Sequence, residues 1–214
     1  MNVKLIRYTN DAEQLAGEAA ALCYNGQDWN KSLDVAMDGG HESVLEHATF
    51  TFLIEGVSRT MLAQITRHRL ASFSVQSQRY VSMVKCFDYV IPPRIVELGE
   101  DAVKEYETQM QTMHEWYKGW KQKLGKGEQG NEDARFVLPG ASTTRMMVTM
   151  NVRELRHFFA LRCCARAQWE IRHVARQMLI QCQEVAPKLF ANAGPGCVRG
   201  HCPEGEKGCK AVKA

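Results

Sequence analysis

The sequence predicts an α+β fold: a small, mostly antiparallel sheet with several helices, one of them long. Three observations carry this. Two stretches, Ala48–Ile54 and Thr143–Met150, alternate apolar and polar residues at the period of a half-buried strand. Between Ile95 and Leu124, Val103, Tyr106, Met110, Met113, Tyr117, Trp120 and Leu124 recur every three or four residues, the period of an amphipathic helix. The composition, 45% hydrophobic and 24% charged over 214 residues, is that of a globular chain with a sizeable core.

In chain order, Thr9–Asn25 predicts a helix, with Thr9, Asn10 and Asp11 available to cap it and Leu15, Ala19 and Leu22 on one side. Lys31–Met37 predicts a short second helix stopped by Gly39-Gly40, and His41–His47 a connector. Phe50, Phe52 and Ile54 fall on one face of the first strand, Thr49 and Thr51 on the other. Ser58 caps a helix through Met61, Leu62 and Ile65. Ala71–Val84, rich in Ser and Gln, predicts an ordered loop, and Phe87–Ile91 a strand ended by Pro92-Pro93. Gly125 and Gly127 end the long helix, whose Met/aromatic stripe suits a core or a subunit interface. Asn131–Leu138 predicts a short helix halted by Pro139. Asn151 caps the next helix, with Glu154 placed as in a capping box. A last helix carries Trp169, Val174, Met178 and Cys182 to Pro187. The organisation expected is one catalytic domain over 1–190 and an irregular tail rich in Cys and Gly over 191–214.

The net charge is only +3, from 27 Lys plus Arg against 24 Asp plus Glu, which excludes a histone-like basic protein. The distribution says more. Lysine is absent from Ser32 to Val84 and from Gly127 to Pro187, and those stretches hold twelve of the fifteen arginines. Arginine is a planar, always-charged fork suited to phosphates, carboxylates and flat rings. The densest cluster runs from Arg67-His68-Arg69 to Ser77-Gln78-Arg79-Tyr80, without an acid among its fourteen residues. Hydroxyls, amides and loop N–H groups beside three guanidiniums make an anion site, for a nucleotide phosphate or pyrophosphate. No Walker pattern and no Gly-x-Gly-x-x-Gly accompanies it. The first ten residues hold no apolar signal core and no apolar run approaches a membrane span, so a cytoplasmic chain is expected.

Arg67-His68-Arg69, then Ser72, then Ser77-Gln78-Arg79-Tyr80 resembles the signature of the flavin-dependent thymidylate synthases. The run Gly40-His41-Glu42-Ser43-Val44-Leu45-Glu46-His47, the segment Ala134–Pro139, Asn151–Leu155, Leu161-Arg162 and Ala167–Arg172 resemble further motifs of that family, so the likeness spans roughly 38–172. The resemblance implies reductive methylation of dUMP to dTMP by a homotetramer. It implies methylenetetrahydrofolate as carbon donor, FAD as hydride donor and NADPH as reductant. Carried over by position, it places Ser43, Arg67, His68, Arg69, Asn151, Arg153 and His157 at FAD, with a backbone contact from Val75. Gln64, Ser77, Gln78, Arg79 and Arg135 hold dUMP, Arg162 lies against the uracil ring as the catalytic cation, and His41 stacks near the folate and flavin rings. The sequence departs from the commonest pattern at Ser74-Val75, where many members have Asn-Glu, at His157, where Asn is common, and at Arg166, where His is common.

Ser77 has no carboxylate-oriented base beside it, so it is expected to donate a hydrogen bond rather than act as a nucleophile. Cys23, Cys86, Cys163, Cys164 and Cys182 lie in or at the ends of expected elements and are expected as buried thiols. In the tail, Cys197, His201, Cys202 and Cys209 lack a Cys-x-x-Cys pair, so free thiols or adventitious disulfides are favoured over a metal site. A different class, an RNA- or single-strand-binding module, would also use arginines with aromatics, but it expects a wide basic face. Here the arginines are interleaved with core-forming helices, so no nucleic-acid or membrane partner is expected.

Overall fold

The computed structural model describes residues 1–85, 87–205 and 208–209. Its strands are β1 (Asn2–Tyr8), β2 (Thr49–Ser58), β3 (Ala71–Val75) and β4 (Thr143–Asn151), in the sheet order β1-β2-β4-β3. The helices are α1 (Ala12–Tyr24), α2 (Trp29–Asp38), α3 (Arg59–Ile65), α4 (Pro93–Glu97), α5 (Glu100–Leu124), α6 (Gly127–Ala134), α7 (Val152–Arg162), α8 (Trp169–Val185) and α9 (Pro187–Phe190). Single 3-10 turns cover Glu42–His47, Arg135–Val137 and Gly196–Arg199. Backbone register makes the neighbours of β2 antiparallel. Thr9 N donates to Thr49 O at one end of the β1–β2 pair, while Met1 closes on Gly56 at the other. Arg59 N donates to Ser142 O and Val152 N to Ala48 O at opposite ends of the β2–β4 pair.

The chain falls into two compact units. The first comprises Met1, Glu55–Gln64 and Ser74–Met146; the second comprises Asn2–Ile54, Ile65–Phe73 and the chain from Met147 onward. In the second unit, Phe50, Phe52 and Ile54 of β2 are fully buried with Val148 and Met150 of β4. An aromatic cluster follows: Phe190 meets Phe50 edge-on at 5.4 Å and Phe159 at 6.0 Å. On the opposite sheet face Thr51 and Thr149 hydroxyls pair at 2.9 Å, a cross-strand contact between the two alternating strands.

The two central strands match the sequence expectation; the edge strands do not. Strand β1 carries Lys4, Arg7 and few buried side chains, so alternation is weak there. Its outer backbone is taken up by α8: Leu5 N donates to Gln181 Oε1 at 2.6 Å and Gln181 Nε2 to Val3 O at 3.0 Å. The segment expected as a loop from Ala71 begins with edge strand β3, and the strand expected at Phe87–Ile91 reduces to an isolated bridge between Tyr89 and Ser142. The long helix breaks at Gly99, whose φ of 103° is open to glycine, leaving α4 and α5. In α5 the expected stripe is buried only at its centre, Met110 and Tyr117; Trp120 and Leu124 are exposed. Helix α6 starts at Gly127, earlier than expected, and passes into the 3-10 turn before Pro139.

Side-chain caps open α2, α3, α7 and α8. Asp28 accepts from Asn30 N and Lys31 N, Gln168 from Glu170 N and Ile171 N, and Ser58 Oγ from Met61 N. The expected cap of α1 is absent: Asp11 is left-handed, φ 50°, and makes no side-chain cap bond. Cys163 and Cys182 are buried as expected, Cys164 is half-buried and Cys23 is exposed, because it lies in the last turn of α1 away from the buried Ala16–Ala20 face. Cys86 and residues 206–207 and 210–214 of the expected tail lie outside the described residues. No helix among the described residues is long and apolar enough to cross a membrane.

Candidate active site

The second unit builds a buried triad from two distant segments. Helix α7 opens on Asn151, whose Oδ1 accepts from Glu154 N at 2.9 Å, and this turn aims Glu154 inward. Its carboxylate is buried and lies 2.9 Å from His68 Nδ1. On the other side of the imidazole, Arg162 Nε donates to His68 Nε2 at 3.2 Å. A guanidinium N–H needs a lone pair, so Nε2 is the acceptor and Nδ1 carries the proton that goes to Glu154, a tautomer assigned from the network. His68 is therefore a neutral spacer between a carboxylate and a guanidinium. Burial is the largest influence and holds its pKa below the ordinary histidine value; Glu154 pulls it up, and Arg162 and His157 push it down. Phe158 packs edge-on against the ring at 4.9 Å and fixes its plane.

Arg162 ends α7 half-buried, and burial and Arg67 both lower its pKa. With Nε committed to His68, its two terminal nitrogens are left for a ligand. The flanking Arg67 and Arg69 are exposed and pair with no carboxylate among the described residues. The triad thus sits among uncompensated cations, a set that attracts an anion. His157 is exposed beside His68, ring centroids 6.0 Å apart. Ser43 lies exposed on the 3-10 turn Glu42–His47, which packs on α7. Arg153 is exposed and ion-paired to Glu46 and, at 3.7 Å, to Glu42, and these carboxylates raise its pKa, Glu46 foremost. His41 is exposed near Tyr24, at 6.0 Å between rings.

The first unit holds the residues expected at the nucleotide. Ser77 Oγ accepts from Arg79 N at 3.1 Å, which turns the loop and leaves the hydroxyl proton free to donate. Gln78 is buried, Val75 ends β3 and Gln64 lies in the last turn of α3. Arg79 is not without acids, as the composition of its own loop suggests. Glu128 and Glu132 of α6 both pair with it, Glu132 at 2.8 Å, because α6 brings carboxylates from fifty residues away. Asn131, between them, donates from Nδ2 to Arg79 O at 2.7 Å. Farther along, His114 Nε2 donates to Met83 O at 2.9 Å and Tyr117 OH accepts from Met83 N at 3.2 Å. Arg135 lies close to Arg59; burial, then Arg135, lowers the Arg59 pKa, and the like charges make a second anion-seeking spot.

Sequence reasoning did not single out Glu154, Asn131, His114, Tyr117, Glu128, Glu132 or Arg59 as site residues. Glu154 was visible only as a capping-box residue, and no local signal marks the rest as partners of the loop. Among the described residues no group of three or more His, Cys, Asp or Glu could hold a metal ion.

Guanidiniums from two distant segments, Arg67 and Arg69 beside His68 and Arg162 from the end of α7, thus gather around a buried imidazole, a setting that suits an anionic ligand. The model of the thymidylate synthase complementing protein family matches residues 4–188. A flavin-dependent thymidylate synthase of Clostridium tetani is 43% identical over 98% of this chain and 93% of its own length. That of Nitratidesulfovibrio vulgaris is 52% identical over 80% of this chain and 71% of its own, and that of Pyrococcus furiosus 41% identical over 95% and 90%. In fold, the chain matches the crystal structure of the Helicobacter pylori flavin-dependent thymidylate synthase complexed with FAD and dUMP, with a TM-score of 0.66 at 24% identity over 91% of this chain and all of the other. The chain belongs to the flavin-dependent thymidylate synthase family.

Proposed function

We propose that this protein converts dUMP to dTMP in the cytoplasm, taking the carbon from methylenetetrahydrofolate. Bound FAD, reduced by NADPH, supplies the hydride. The observation that carries this reading is the triad Glu154–His68–Arg162, flanked by Arg67 and Arg69. It fits an isoalloxazine nucleotide with a pyrophosphate: exposed guanidiniums for the anion, and a neutral imidazole that does not add charge beside the ring system. Arg67, His68, Arg69, Asn151, Arg153, His157 and Ser43 hold FAD, with the backbone of Val75. Gln64, Ser77, Gln78, Arg79 and Arg135 hold dUMP, and His41 lies by the folate.

In this reading Arg162 supplies the positive charge at the uracil. Its Nε is fixed by His68, so the fork is preorganised before substrate arrives. Arg79 exchanges the α6 carboxylates for the phosphate. Residues 1–190 form the catalytic domain and the rest a tail.

The test is direct. The purified protein is expected to be yellow, to bleach under NADPH without oxygen, and to form dTMP only when dUMP, NADPH and methylenetetrahydrofolate are all present. A colourless protein that fails to take up added FAD overturns the reading.

The same reading predicts a positioning role for Asn131. Asn131→Ala frees the Arg79 carbonyl, at a cost of about 0.5–1.5 kcal/mol, which is roughly a 2- to 10-fold rise in KM for dUMP. Because Asn131 meets the loop backbone and not the reacting atoms, kcat is expected to hold. Steady-state kinetics separate the two; a fall in kcat at constant KM overturns the assignment.

Assembly as a homotetramer completes the proposal. It is supported by the exposed Trp116, Trp120 and Leu124, one turn apart along α5. Large apolar side chains in a row mark an interface. The double variant Trp116→Glu/Trp120→Glu is expected to fall to smaller species in light scattering, and an unchanged tetramer would remove α5 from the interface.

A further inference from the structure

The function leaves the tail cysteines unused, yet they do not scatter. A cavity of about 480 Å³ in the second unit is lined by Cys163 and Cys164, just after Arg162, and by Cys197, Cys202 and Cys209 of the tail. Gly205 N donates to Cys202 O at 3.2 Å and Gly208 N to Gly205 O at 3.0 Å. The result is a close approach. A Cβ built on Gly208 would stand 3.1 Å from Cys202 Sγ. Cys209 is the next residue, its Cα about 3.8 Å from that of Gly208, and it lines the same cavity as Cys202. Both thiols are free and half-buried.

We propose that Cys202 and Cys209 form a reversible dithiol–disulfide site that reacts with low-molecular-weight disulfides. The Cys202 thiolate attacks one sulfur of the reagent, whose S–S bond breaks and releases one thiol. The Cys209 thiolate then attacks Cys202 Sγ in the mixed disulfide and releases the second thiol. Two protein thiols are oxidised to one disulfide, one reagent disulfide is reduced to two thiols, and the two protein thiol protons end on the released thiols. The other cysteines of the cavity are placed differently. Burial pushes the Cys163 thiol up to about 12, which keeps it protonated and inert. Cys197 is exposed on the 3-10 turn Gly196–Arg199, whose backbone is closed on itself by the bond from Gly200 N to Cys197 O. Glu204, between the two reactive positions, pairs with Arg166 on the same cavity. Oxidation therefore ties down the segment that neutralises Arg166, next to the Arg162 wall.

The test uses the full chain in glutathione redox buffers, with iodoacetamide trapping and peptide mapping by mass. Oxidation is expected to make Cys202 and Cys209 together refractory to alkylation, linked to each other, and to be reversed by excess reduced glutathione. Cys202→Ser is expected to trap Cys209 as a glutathione adduct, and Cys209→Ser to trap Cys202. Cys164→Ser and Cys197→Ser leave the 202–209 bridge intact. Glutathione adducts without a bridge in the unsubstituted protein, a bridge to another cysteine, or no reaction at all would each overturn the proposal. None of these readouts depends on turnover, so the result stands apart from the fate of the proposed activity.

Discussion

Arg162→Ala is expected to lower kcat by about 10²–10³-fold, the loss seen when a single preorganised donor is removed from a developing charge. The guanidinium is fixed twice over. Its Nε is bound to His68 at 3.2 Å, and its chain is the last turn of α7, where a cation is favoured by the helix C-terminus. Partial burial and the nearby Arg67 both destabilise its charge in the absence of an anion, so the charge is most welcome when negative density appears beside it. Arg162→Lys is expected not to rescue. Lysine keeps the charge but has neither the Nε–H that engages His68 nor the planar fork. Ser77→Ala serves as the contrast. Ser77 Oγ closes a local turn onto Arg79 N and offers one neutral donor, so its removal is expected to cost about tenfold or less. Pre-steady-state reduction of the flavin by NADPH should proceed in the Arg162→Ala protein, placing the defect after that step. Comparable, mild losses in both variants would sink this division of roles.

How much of this was legible in the sequence depends on where each residue takes its partner. The central strands were legible because β2 and β4 alternate Phe, Ile, Met and Val against Thr, and both faces obey the pleat. The edge strands were not. β1 is held by Gln181 from the far end of the chain, and β3 is a Ser-Phe-Ser run whose composition reads as a loop. Side chains proposed to meet a ligand sit in a signature of fixed spacing, which the sequence displays directly. Side chains that hold those residues in place do not. Glu154 reaches His68 across eighty-six positions, and Asn131 reaches Arg79 across fifty-two. Their residue types, a helix-start Glu and a helical Asn, have ordinary local explanations. The apparent absence of acids around the arginine loop was a local fact only, because Glu128 and Glu132 arrive on α6.

Glu154 carries the second large effect, and it separates geometry from charge. Glu154→Ala leaves the His68 Nδ1–H without an acceptor in a buried place, which costs about 1–3 kcal/mol of stability. The imidazole is then free to turn, so FAD affinity and the orientation of Arg162 are expected to fail together. Glu154→Gln keeps an oxygen that can accept from Nδ1–H, and most of the stability should survive. What Gln removes is the negative charge that raises the His68 pKa against the larger effect of burial. The sign follows from linkage. The folded pKa of His68 lies below its unfolded value of about 6.5, so above that pH neither state binds the proton and stability is flat. As the pH falls, the unfolded chain takes up a proton that the folded one refuses, and stability drops until the pH passes below the lowered folded value. A proton on Nε2 would also face Arg162 Nε–H, so acid separates the imidazole from the guanidinium. His68→Gln removes this component. The difference in unfolding free energy between the unsubstituted protein and His68→Gln is therefore expected to shrink on acidification from about pH 6.5. In the Glu154→Gln background the shrinkage should run on to lower pH, because nothing then holds the folded pKa up. Denaturant unfolding over that range, with flavin fluorescence followed in parallel, reads both effects. A difference that is independent of pH would mean that His68 is not the buried neutral imidazole on which the orientation of Arg162 depends.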